Sequence, residues 1–202
     1  MIDHMIANGE TKPLIICAVS YYTQYSNDAT KNCIDFHYEL DKDIIPIFEK
    51  QYHTYAKDTT QESLNQSRTH RAFSGFSMGA CATWAAFEYC LPEMAYFLPI
   101  SGDCWAVGRG KPVDATQHLI NVVAKHGKTA ADFKIYSGCG TNDIAERNLT
   151  PMIEEMKKHP ETFIYCDNFE KGNLYQCIRQ NGGHDVNTVM RILYNGLPKM
   201  FD

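Results

Sequence analysis

At 202 residues, with 44% hydrophobic and 12% aromatic content, the chain is long enough to bury one sizeable core, and nothing in it suggests disorder; residues 1–202 read as a single domain. A formal net charge of -5 leaves no basic face for nucleic acid, and apolar stretches such as residues 95–100 are far too short to cross a membrane. The eight cysteines contain no C-x-x-C pair and the eight histidines no H-E-x-x-H pair, so a metal mechanism has no support, and the thiols read as small buried hydrophobes with no disulfide assigned.

In chain order, residues 1–9 predict a short helix stopped by Gly9, not the basic and apolar segments of a secretory signal. Residues 14–18 read as a strand, followed by Tyr21, Tyr22 and Tyr25. Cys33, Phe36, Leu40, Ile44, Ile47 and Phe48 recur at helical spacing, with Pro46 kinking or dividing that helix. Residues 57–67 are polar without periodicity and predict a surface loop. A strand is expected at 71–74, a helix from Ala80 to Tyr89, a strand at 96–100 and a helix at 113–126 closed by Gly127. Further strands at 133–137 and 174–178, and an amphipathic helix through Val186, Val189, Met190, Leu193 and Leu197, complete the chain. Strand and helix in alternation argue for an α/β fold, a mainly parallel sheet with helices on both faces.

Between the 71–74 strand and the helix that follows stands Gly75-Phe76-Ser77-Met78-Gly79, a G-x-S-x-G nucleophile elbow. A serine hydroxyl is a poor nucleophile at neutral pH. It requires a histidine to take its proton and an acid to hold that histidine. Downstream, Gly138-Cys139-Gly140-Thr141-Asn142-Asp143 brings an acid to a strand end, and Asn181-Gly182-Gly183-His184-Asp185 places a histidine in the last strand-to-helix loop. Ser, Asp, His is the order this chemistry takes on an open α/β sheet, each residue lying just past a strand. Asp143 has an alternative role as a helix N-cap, His184 as a surface histidine, and Asp103, Asp167 and Asp185 are competing carboxylates. Asp143 is preferred because strand, glycine turn and acid are contiguous there.

These three segments resemble those of the feruloyl esterases of carbohydrate esterase family 1, especially the esterase modules of bacterial xylanases. Lys12-Pro13-Leu14-Ile15-Ile16 is similar to a strand that precedes their nucleophile region. The resemblance spans nearly the whole chain. It implies an α/β-hydrolase fold and a cofactor-free serine esterase acting on feruloylated arabinoxylan or a small aromatic ester, secreted and tethered to xylanase or carbohydrate-binding modules. It also implies that the Met78 N–H is one oxyanion donor. The family's second donor comes from a His-Gly loop upstream of anything matched here, so residues 1–9 correspond to the helix after that loop. The expectation is an N-terminally truncated fold in which residues 14–18 form the fourth strand. Within the resemblance, Trp105, Asp103, Tyr21 and Tyr22 are candidates to contact the acyl group or sugar. Rival readings on the same scaffold are an acetyl-xylan esterase, another acyl or thioester hydrolase, or a catalytically impaired fragment serving as a binding module.

Overall fold

The computed structural model describes residues 1–167 and 169–201. Four strands, β1 (Ala72–Phe76), β2 (Tyr96–Ile100), β3 (Lys134–Gly140) and β4 (Leu174–Arg179), form one wholly parallel sheet in the order β1-β2-β3-β4. Parallel neighbours need crossover connections, and helices supply them. These are α5 (Met78–Cys90) between β1 and β2, α6 (Pro112–Lys125) between β2 and β3, and α7 (Glu146–Met156) between β3 and β4. Before the sheet come α1 (Ile2–Ala7), α2 (Ala29–Glu39), α3 (Ile45–Gln51) and α4 (Gln61–Gln66); after it comes α8 (Val186–Gly196).

Alternation along the strands divides the interior into two layers. Phe97, Ile135 and Cys139 pack with Trp84 and Phe87 of α5, Leu119 of α6 and Met152 of α7. Tyr96, Leu98, Ile100 and Tyr136 face the opposite way, onto Ile192 of α8. The α5 helix is apolar all round, with Ala80 to Phe87 buried, because α2 covers the side that the sheet does not.

Two expectations need correction and a third is met in an unexpected form. Residues 14–18 form no strand: Ile15 and Ile16 are 55% and 58% exposed, and no strand of the sheet lies beside them. A β-prone run needs a hydrogen-bonding neighbour, and none is present among the described residues. Residues 57–67 are not all loop. Thr60 caps α4 by accepting from the Ser63 N–H, while the Ser63 hydroxyl accepts from the Lys57 and Asp58 N–H groups at 2.8 and 3.0 Å. The helical run around Pro46 is divided, as its sequence led one to expect. A π-helical segment, Leu40–Ile44, joins α2 to α3, and Pro46 falls in the first turn of α3. The missing proline N–H is tolerated there, and the wider turn absorbs the ring. Of the cysteines, Cys17 is exposed and Cys177 half-buried, while the other six are buried free thiols.

Candidate active site

Each candidate residue sits where a strand ends. Ser77 follows β1 at φ 57 and ψ -113, a backbone region that costs a residue with a side chain on the order of 1–3 kcal/mol. Its N–H donates to Ile100 O of β2 at 2.9 Å, which holds the strained turn against the neighbouring strand. The sharp turn brings Gly75 and Gly79 into contact. A Cβ on Gly75 would lie 2.1 Å from the Gly79 carbonyl oxygen, so the motif's first glycine is required by close approach.

The acid and the histidine come from the loops after β3 and β4, which are stitched together. The Asn142 N–H donates to Gly182 O at 2.9 Å, the Thr141 N–H to Arg179 O at 3.0 Å, and the Asn181 N–H to the Thr141 hydroxyl at 2.9 Å. A Cβ on Gly140 would stand 2.1 Å from Gly182 O, so glycine there lets the two loops touch.

Those loops bring Ser77, His184 and Asp143 into one relay. His184 Nε2 lies 2.9 Å from Ser77 Oγ, and His184 Nδ1 lies 2.8 Å from Asp143 Oδ1. The Asp143 side chain is wholly buried, whereas that of His184 keeps 23% of its surface, so the relay opens to solvent at the serine end. Phe76 packs on the imidazole with ring centroids 4.4 Å apart. Asp143 Oδ1 also accepts from the Ala145 N–H at 2.8 Å, and Oδ2 accepts from the Ser101 hydroxyl at 2.6 Å. Ser101, buried at the end of β2 with φ 58, is a site residue that the sequence reading missed. Its signal was present: a polar residue in the same strand-end layer as Ser77 and Asp143.

The competing acids are occupied elsewhere. Asp185 caps α8 through the Thr188 N–H at 2.8 Å, Asp167 is exposed, and Asp103 holds its own loop. The Trp105 indole N–H donates to Asp103 Oδ1 at 3.0 Å and the Gly110 N–H to Oδ2 at 2.8 Å, so both carboxylate oxygens of this buried aspartate are engaged. Those two bonds orient Trp105 and fix the loop, the structural role that the sequence also offered for Asp103. The Arg109 guanidinium lies 3.6 Å over the Trp105 ring.

Met78 is the first residue of α5, where backbone N–H groups have no partner within the helix and the helix dipole favours negative charge. Tyr21 is half-buried against the main core, and burial, helped by Tyr22, pushes its hydroxyl up to about 12. Tyr22 stacks on it at 4.8 Å and is itself 74% exposed. No group of three or more His, Cys, Asp or Glu residues is placed to hold a metal ion among the described residues.

No known protein-family profile matches the chain. It is 34% identical over 201 residues to endo-1,4-beta-xylanase Y of Acetivibrio thermocellus, an alignment that covers all of this chain and 18% of that protein. The chain therefore spans less than a fifth of that relative. Among solved structures, a variant of the feruloyl esterase module from Clostridium thermocellum, complexed with sinapinate, superposes with a TM-score of 0.92 at 34% identity; the match covers 99% of this chain and 68% of that one. A CE1 ferulic acid esterase from the fungus Anaeromyces mucronatus matches at 0.67 and 16% identity, covering 98% and 68%, and at that identity shows the shared fold alone.

Proposed function

The chain belongs to the feruloyl esterases of carbohydrate esterase family 1, and from that premise we propose that it hydrolyses hydroxycinnamoyl esters such as those on plant cell-wall arabinoxylan. The observation that carries the reading is the unbroken relay from Ser77 Oγ through His184 to the buried Asp143.

In this reading Ser77 Oγ attacks the ester carbonyl carbon while His184 Nε2 takes the hydroxyl proton. Asp143 accepts from Nδ1–H, keeping the imidazole in the tautomer whose Nε2 is free to act as base. The tetrahedral oxyanion lies at the N-terminus of α5, where the Met78 N–H stabilises it. Collapse expels the sugar hydroxyl, which receives the proton from His184 and leaves an acyl-serine. Water then repeats the sequence from the other side: His184 takes its proton, the serine leaves with that proton, and the hydroxycinnamic acid is released. Trp105, fixed by Asp103 and Arg109, is the proposed flank of the phenolic ring, with Tyr21 and Tyr22 as further aromatic contacts.

The relative in which the match occupies only 18% of the length supports a module tethered within a longer xylan-degrading protein, and action on cell-wall polymer requires that protein to be secreted. No helix among the described residues is long and apolar enough to cross a membrane. The test is release of ferulate from methyl ferulate, followed by absorbance. Ser77→Ala should lower kcat by about 10⁵–10⁶-fold. Hydrolysis that survives this change places the chemistry elsewhere.

A further inference from the structure

A polar groove runs down the outer flank of β4 beside α8. Its volume is about 370 Å³, and its walls include Cys177, Arg179, Gln180, Arg191, Ile192 and Asn195. That volume lies in the range of clefts that hold a small ligand or one or two sugar units. Two periodicities build it. Cys177 and Arg179, two apart on β4, share the strand face that looks onto α8, and Thr188, Arg191 and Asn195 recur at i, i+3 and i+7 along one stripe of the helix.

In a chain of net charge -5 the groove carries two arginines and, among the described residues, no Asp or Glu, so it is electropositive. Arg179 is held in place: Nη1 donates to the Thr188 hydroxyl at 3.1 Å, and Gly182 leaves room for the arginine stem, since a Cβ there would lie 3.0 Å from Arg179 Cδ. Arg191 is exposed and has no hydrogen bond or ion pair among the described residues. The nearby acid, Asp185, is engaged by the Thr188 N–H at the N-cap of α8. Beyond Leu174, which bridges to Tyr165, no strand among the described residues lies along the outer edge of β4, so the groove is also open to a chain lying across it. Its upper end abuts the active site, since Arg179 is the last residue of β4 and the loop that follows carries His184.

We infer that this groove binds a carboxylate-bearing sugar, a uronate branch on the same polysaccharide that presents the ester to Ser77. A guanidinium fork matches a carboxylate in a bidentate geometry, and a second cation beside it suits an anion, not a neutral sugar. Gln180 and Asn195 supply amide groups for the surrounding hydroxyls. The inference rests on the esterase reading for the identity of the polymer. The groove itself makes a claim that does not depend on turnover.

The experiment compares the wild-type chain with Arg191→Gln on three substrates: methyl ferulate, feruloylated arabinoxylan that carries uronate branches, and the same polymer after enzymatic removal of those branches. Arg191→Gln should lower kcat/KM on the uronate-bearing polymer roughly tenfold, the scale of one charge-assisted hydrogen bond, and leave the other two substrates unchanged. Arg191→Lys, which keeps the charge and loses the fork, should fall between. An equal loss on both polymers, or no loss on either, overturns the inference. Failure of the wild type on methyl ferulate removes the esterase reading instead. Calorimetric titration of a uronate-branched xylotriose against plain xylotriose then decides the groove alone: tighter binding of the acid that Arg191→Gln abolishes supports it, and equal affinities overturn it.

Discussion

The Ser101 hydroxyl donates to Asp143 Oδ2 at 2.6 Å, while the other oxygen of the same carboxylate faces His184. Ser101 thereby positions the acid of the relay without touching the histidine or the serine. It holds that place in a left-handed backbone conformation, φ 58, that glycine adopts with less strain.

Ser101→Gly should lower thermal stability by about 1–3 kcal/mol, because a buried carboxylate oxygen loses its donor and relief of the backbone strain offsets only part of that cost, and should lower kcat by about tenfold with little change in KM, because the carboxylate is no longer fixed. Steady-state kinetics on methyl ferulate beside a melting curve will test it. An unchanged kcat would leave Ser101 with a purely structural role.

Gly140→Ala should damage both properties together. The added Cβ would meet the Gly182 carbonyl 2.1 Å away, so the acid loop and the histidine loop must part. A backbone collision of this kind costs more than about 2 kcal/mol, and a displacement of 1 Å at the relay is enough for a roughly 10²-fold fall in kcat. If the variant crystallises with the His184 to Asp143 contact intact and full activity, the loops have more freedom than their packing indicates.

Stability should fall as pH rises from about 4.5 to about 7. Glu93 is 3% exposed; burial, together with the nearby Asp41 carboxylate and against the Gln61 and Arg71 contacts, raises its pKa from 4.5 to about 7. Between those values the folded chain holds a proton that the unfolded chain has released, so the contribution is full below pH 4.5 and is lost as pH climbs through 7. The slope is at most about 1.4 kcal/mol per pH unit. Glu93→Gln keeps an oxygen for the Gln61 amide and should flatten melting temperature against pH across this window. Parallel curves for the two proteins would count against a titrating Glu93.

The exposed run at 14–19 and the bare outer edge of β1 predict self-association. Ile15 and Ile16 are more than half exposed, and among the described residues β1 pairs with a strand on one side only. A β-prone apolar run and an unpaired strand edge are both templates for pairing between copies. Light scattering across a concentration series should show growing particle size for this chain, and Ile16→Lys should suppress it. A strictly monomeric wild type at high concentration would remove the argument.

Local pattern alone determined the elements that hold the proposed relay. Gly75 and Ser77 announce a sharp turn, with Gly75 held to glycine by the close approach of the Gly79 backbone, and Asp143 and His184 each follow a short apolar run and a glycine turn. Backbone sterics and strand periodicity act over a few residues, so they are legible without neighbours. Gly9 and Gly127, both at positive φ beyond a helix end, were legible for the same reason. Tertiary structure decided the rest. Ser101 becomes part of the site only because β2 lies between β1 and β3, which sets its hydroxyl against a carboxylate 42 residues away. Asp103 turns inward to Trp105 and Gly110 because a buried charge must be paired, which strand-end placement cannot reveal. Residues 14–18 have the composition of a strand and are not one, since a strand is a relation between two segments. The same holds for the groove of Arg179 and Arg191. One stands on β4 and the other on α8, and the folded packing of helix on sheet brings the two cations together.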